Sequence, residues 1–150
     1  MIKEIEPPND FFLNDPKLAI QGLPDIDLHS LHTEKKLVHR PGSTWYGVYL
    51  KADIIAALRM DRIDEYTVNI HAYLATQYQQ MHLLKYIFID TVNYLKEHTQ
   101  YTVMVIATPE PCTHVVRTMK PLGFKYTGTI KKKLIWRNAV VNLLHYSREI

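Results

Sequence analysis

Apolar and polar positions divide the chain into a loosely patterned start and a strongly patterned remainder. Residues 2–6 alternate apolar and charged side chains as a short strand does, until Pro7-Pro8 stops it. Asn9-Asp10 is placed to cap a short helix over Phe11, Phe12 and Leu13. Asp15-Pro16 is placed to open another through Leu18 and Ile20. Residues 24–42 are polar and close on Pro41-Gly42, a turn signal. Residues 43–50 (STWYGVYL), 53–60 (DIIAALRM) and 65–74 (EYTVNIHAYL) then read as a three-stranded meander, turning at Lys51-Ala52 and at the charged stretch 61–64. In residues 79–98, Leu83, Leu84, Ile87, Phe88, Thr91, Val92 and Leu95 recur at spacings of three and four, which predicts a helix with one apolar face. Residues 101–107 (YTVMVIA) form an almost wholly apolar run, the pattern of a strand covered on both faces. Pro109 and Pro111 lead into a helix over 112–120, ended by Pro121-Leu122-Gly123. Residues 124–136 and 139–148 alternate as two long strands joined at Arg137-Asn138. This order predicts an α/β fold: one domain over residues 1–150, with a mixed β-sheet of about seven strands flanked by helices.

Composition narrows the function classes. At 150 residues and 47% apolar, the chain is long enough to bury a core without staples. The single Cys112 excludes a disulfide framework within the chain and any multi-cysteine zinc site. No apolar run approaches the length of a membrane span, and residues 1–10 lack the pattern of a secretory signal. The expected setting is the cytoplasm, without a membrane partner. The net charge of +3 sums unlike parts. Residues 1–34 carry seven acids and two bases (−5), residues 35–110 seven acids and eight bases (+1), and residues 111–150 one acid and eight bases (+7). Such polarity favours self-association or a protein partner, the acidic N-terminal region meeting a basic C-terminal surface. The five glycines are Gly22, Gly42, Gly47, Gly123 and Gly128, so no glycine-rich phosphate loop lies between positions 48 and 122.

The element order, ending in a buried strand, a short helix, Leu122-Gly123-Phe124 and two long antiparallel strands, resembles the GCN5-related N-acetyltransferase (GNAT) fold over nearly the whole chain. The helix before the glycine-phenylalanine turn in that family often follows N-x-x-A-x-x-x-Y-x-x-x-G-F. Here Cys112, Val115 and Met119 stand at the asparagine, alanine and tyrosine, and Gly123-Phe124 is kept. The resemblance implies an acyl-CoA-dependent N-acyltransferase with acetyl-CoA as donor. It also implies cofactor contacts from Tyr73, Leu74 and Ala75 at the end of the third meander strand and from Gln79, His82, Leu83 and Leu84 where the long helix begins. In the family that junction reads Q/R-x-x-G-x-G/A, so that backbone N–H groups meet the coenzyme pyrophosphate at the helix N-terminus. Starting the motif at Gln79 puts His82 and Leu84 at its small residues, and starting at Gln77 puts Gln80 and His82 there. Neither register supplies a glycine, so the site is a degenerate version of the family's.

The same resemblance assigns catalytic roles. Glu65 and His71, spaced to share one face of the third meander strand, lie where the family often places the base that deprotonates an amine. Met119 cannot donate the proton that the family's tyrosine gives to the departing thiolate. Tyr126, Tyr78 and Tyr86 are the substitutes at hand. The alternative is a catalytically inactive protein that keeps the architecture for assembly. Small proteins of this fold occur among virion and head components of tailed phages, which this chain resembles in general terms; the setting would then be the host cytoplasm or the virion.

Other constellations read more plainly. His29, His32 and His39 have spacing a metal accepts but lack supporting cysteines or an H-E-x-x-H pattern, and read as loop histidines. Cys112 and His114, two apart on a helix, diverge and make no nucleophile–base pair. Lys131, Lys132 and Lys133 are expected to alternate across a strand, two on one face and one on the other. That pattern suits a solvated edge strand better than a nucleic-acid surface, although Lys125, Arg137, Tyr126 and Trp136 lie nearby.

Overall fold

The computed structural model describes residues 1–6, 43–74, 82–136 and 139–150. The short helices expected near Asn9 and Asp15, His29, His32, His39 and the turn at Arg137-Asn138 lie outside the described residues.

Seven strands form one mixed sheet in the order β1-β2-β3-β4-β5-β7-β6. They are β1 (Ile2–Ile5), β2 (Ser43–Leu50), β3 (Asp53–Arg62), β4 (Thr67–Leu74), β5 (Val103–Pro109), β6 (Lys125–Trp136) and β7 (Ala139–Glu149). Every neighbouring pair is antiparallel except β4 and β5. A parallel pair needs a long crossover, and helix α1 (Leu84–His98) supplies it. Helix α2 (Thr113–Met119) and a 3-10 turn (Lys120–Leu122) connect β5 to β6.

The apolar stripe read from the sequence is the buried stripe of α1: Ile87, Phe88, Thr91, Val92 and Leu95. Ile87, Phe88, Val92 and Leu95 join Val68, Ile70, Met104, Ile106, Met119, Phe124 and Tyr146 in one core on the first face of the sheet, the one that α1 covers. Burying each large apolar side chain contributes roughly 1.5–3 kcal/mol, offset by the entropy of ordering the chain. Thr91 fits this core because its hydroxyl donates to the carbonyl of Ile87 at 2.6 Å. Gly123 ends the 3-10 turn at φ 85°, a left-handed conformation that costs glycine little, and Phe124 follows it into the core.

Four local expectations are corrected. β3 runs on to Arg62, because Asp61 pairs with Ser43 on one side and Asn69 on the other. The turn therefore falls later, where the Asp64 carboxylate accepts the backbone N–H groups of Tyr66 and Thr67, each at 2.8 Å. Glu65 lies in that turn, not on β4, and shares no strand face with His71. β5 is covered unequally: Met104, Ile106 and Thr108 are buried, while Val103, Val105 and Ala107 are half-buried. The described part of the long helix begins at Leu84, since His82 has φ 54° and a left-handed residue cannot continue a right-handed helix.

The fourth correction concerns the lysines. Ile130 pairs with Leu143 and Leu134 with Val141, so Lys131, Lys132 and Lys133 oppose Asn142 alone in a bulge. Simple alternation fails there. Lys132 has φ 49° and donates its N–H to Asn142 Oδ1 at 3.0 Å, and Asn142 is held by Glu110 at 2.8 Å. All three lysines are exposed. Among the described residues no helix is long and apolar enough to cross a membrane.

Candidate active site

The parallel seam is short. β4 and β5 pair only over residues 67–70 and 103–106, with Ile70 opposite Ile106. Both strands continue past that pair, β4 toward Leu74 beside β3 and β5 toward Pro109 beside β7. The seam therefore opens at its upper end. His71 and Ala107 are the first residues beyond the last pair, and by alternation both lie on the second face of the sheet.

On the helix side, a cavity of about 430 Å³ lies between the start of α1 and α2. Among the described residues, His82, Leu84, Lys85, His114, Arg117, Thr118, Pro121 and Leu122 line it, two cations and two imidazoles without an acid. The N-terminus of α1 borders this cavity with no side-chain cap and no acid in its first turn. Lys85 in that turn opposes the helix dipole, an arrangement an anion would balance. Met119 does not line the cavity; it is fully buried in the core. Leu84 both packs on the core and lines the cavity wall.

The second face carries a polar network where the strands could have been apolar. Cross-strand pairing sets Ser43 beside Asp61 and Asp61 beside Asn69, with Arg59 beside His71. Ser43 Oγ donates to Asp61 Oδ1 at 2.5 Å, and Arg59 Nε lies 3.1 Å from that oxygen and 3.2 Å from Oδ2. His71 Nε2 lies 3.1 Å from Asp61 Oδ2 and 3.1 Å from Asn69 Nδ2. Arg59 is 3% exposed, and the Asp61 carboxylate compensates its buried charge. Burial alone would raise the Asp61 carboxyl. The hydrogen bonds from His71 and Ser43, together with the charge of Arg59, outweigh it and hold the group well below the usual carboxylate range. With Nε2 protonated, His71 donates to Asp61, and the carboxylate favours the imidazolium when the ring takes a second proton.

The site residues read from the sequence are placed unevenly. His71 stands at the open seam. Tyr73 and Leu74 are the last residues of β4, and His82, Leu83 and Leu84 precede or begin α1, while Ala75 and Gln79 fall outside the described residues. Glu65 is exposed at the far end of β4, roughly 20 Å along the chain from His71 at a strand's rise. Tyr126 is 56% exposed on β6, three strands from β4, with its hydroxyl 2.5 Å from Thr129 Oγ1 and its ring edge-on to Tyr146. The register places Tyr126 with Tyr146 and Ile106 on the first face, opposite to that of His71. Arg59, Asp61, Asn69, Lys85 and Arg117 were not among the expected site residues. Arg59 interrupting IIAALRM and Lys85 at a helix start were the available signals.

No protein-family model matches the chain, and no curated protein sequence matches it. Solved structures do. A GNAT family acetyltransferase from Elizabethkingia anophelis, with acetyl-CoA bound, superposes with a TM-score of 0.72 at 18% identity, covering 100% of this chain and 97% of that one. An IAA acetyltransferase from Bacillus cereus gives 0.71 at 12% identity, covering 100% and 99%. A mutant spermidine N-acetyltransferase from Vibrio cholerae gives 0.74 at 9% identity, covering 99% and 94%. At these identities the likeness is one of architecture, and the chain has the GNAT fold.

Proposed function

We propose that the protein is an acyl-CoA-dependent N-acyltransferase, with acetyl-CoA as donor, whose coenzyme site departs from the family's glycine pattern. The observation that carries this reading is the cavity at the N-terminus of α1, whose described lining residues include Lys85 and Arg117 and no acid. Lys85, Arg117 and the first N–H groups of α1 would hold the coenzyme's phosphates, with His82 and His114 adding to them when protonated. The acetyl-CoA-bound acetyltransferase and the spermidine N-acetyltransferase named above are structural neighbours that fit this reading.

In the transfer, the amine nitrogen attacks the thioester carbonyl, the C–S bond breaks and the thiolate departs. His71 takes the amine proton, and Asp61 stabilises the resulting imidazolium. Met119 is buried where the family's acid would stand, so the thiolate leaves without help from α2. Isothermal titration with acetyl-CoA and with CoA at millimolar concentration tests the reading. Heat that is lost in Lys85→Glu/Arg117→Glu supports it, and no heat with the unmodified chain overturns it.

Buried Met119 and the lysine bulge favour a second reading: an inactive member of the fold used in assembly, as in a phage head or virion. Its contacts would join the basic C-terminal surface to the acidic N-terminal region of another copy or of a protein partner. Nucleic acid is the less favoured ligand of the lysines. Light scattering across a salt series separates the readings: a salt-sensitive oligomer that ignores acetyl-CoA supports assembly, and a monomer that binds acetyl-CoA supports the enzyme. The enzyme would work in the cytoplasm, that of the host if phage-encoded.

A further inference from the structure

The second face holds another imidazole that the transfer described above does not use. His145 on β7 is the cross-strand partner of Ala107 on β5, and Ala107 follows the last paired residue of the seam. His71 and His145 therefore stand on opposite sides of Ala107 on the same face, His71 at the opening and His145 one strand beyond it. On its other side His145 pairs with Gly128, where an added methyl would meet nothing within 4 Å. The ring is thus flanked along its row by the two smallest side chains available, with open space above Gly128.

His145 Nε2 is buried and makes no hydrogen bond among the described residues. Its backbone is nonetheless held, since the carbonyl accepts from Thr127 Oγ1 at 3.1 Å. Thr127 is the extra residue of a bulge between Tyr126 and Gly128, a device that re-aims side chains beside reaction sites. A buried polar atom without a partner costs stability, and its retention calls for a ligand that completes it.

We infer that His145 is the second imidazole of the acceptor site, accepting an N–H of the incoming amine at Nε2 from the strand beyond Ala107 while His71 takes the proton. The inference rests on the acyltransferase reading and adds the residue that orients the amine. Ala107 and Gly128 leave room for the substituent the amine carries.

Imidazole nitrogen NMR on the full chain tests both levels separately. CoA alone is expected to move the His82 and His114 resonances. Adding spermidine or tyramine to the CoA-bound protein is expected to move His71 and His145 together. His145→Phe, which keeps the ring's bulk, is expected to raise KM for the amine about tenfold while leaving KM for acetyl-CoA and the melting temperature no lower. Amines that move His71 alone, or neither ring, overturn the inference, as does an unchanged amine KM in His145→Phe. Failure of CoA to move His82 and His114 instead counts against the acyltransferase reading.

Discussion

The two faces of the central strands differ in chemistry more than the fold requires. On the first, Val68, Ile70, Met104 and Ile106 pack beneath Ile87, Phe88, Val92 and Leu95, so apolar area leaves water with no polar group stranded. On the second, β2, β3 and β4 carry Ser43, Arg59, Asp61, Asn69 and His71, and the charged groups among them must be desolvated before they can pair. A buried ion pair seldom beats an apolar pair of similar volume. The first face stores stability, and the second gives some of it up to hold an imidazole and a carboxylate at the open seam.

The largest expected effect lies on the first face. Leu95→Ala should cost about 4 kcal/mol, read by chemical denaturation, because the site is fully buried and α1 is pinned on both sides of it. A loss under about 1 kcal/mol would remove the contrast between the faces. Asp61→Ala should cost about 3 kcal/mol by leaving the Arg59 guanidinium buried without its carboxylate. That loss arises from a stranded charge, not from the worth of the pair. The double variant Arg59→Met/Asp61→Leu separates the two ideas: it should recover most of the 3 kcal/mol or exceed the parent in stability. Its acyl transfer should fall, since His71 loses the group that stabilises its protonated form. A double variant as unstable as Asp61→Ala would mean that the second face is structural.

What was legible in the sequence follows from which interactions set each feature. The stripe of α1 and the alternation of the strands come from backbone periodicity, so the seven strands and two helices of the described residues could be read directly. The placing of Asp61, Glu65 and the three lysines could not, because cross-strand partners decide it. Asp61 looked like part of a turn because it is charged, but Ser43, Arg59 and His71 hold it inside the sheet. Lys131-Lys132-Lys133 looked like an alternating edge because nothing local reveals that only Asn142 opposes them. The cavity was half legible: His82 and Leu84 were in view from the helix start, whereas Arg117 and His114 reach it only through the packing of α2.

Acid should expose the second face before the first. The Asp61 carboxyl titrates below its ordinary value of 3.8 in the folded protein, so the folded state binds its proton more weakly than the unfolded chain does. Its contribution is complete above about pH 4 and is lost as pH falls through the folded value. Denaturation midpoints should therefore drop below about pH 4 in the unmodified protein and drop less in Arg59→Met/Asp61→Leu. Equal slopes in the two proteins would show that other carboxylates set the acid limit.

The smallest effect probes the boundary between the helix side and the seam. Two described helix boundaries place a residue in the left-handed region, Gly123 after α2 at φ 85° and His82 before α1 at φ 54°. At Gly123 the residue type matches the backbone. At His82 a side chain is held where it costs about 1–2 kcal/mol, and the ring borders the cationic cavity. His82→Gly relieves that strain but adds about 0.5–1 kcal/mol of chain entropy to the cost of folding, so the net gain in stability should stay below about 1 kcal/mol. The binding consequence is sharper than the stability one. His82→Gly should weaken acetyl-CoA binding, read by isothermal titration, because it removes an imidazole that lines the cavity. A variant that binds acetyl-CoA more tightly would mean that the imidazole only fills space, and that the backbone there still carries the shape of a glycine turn.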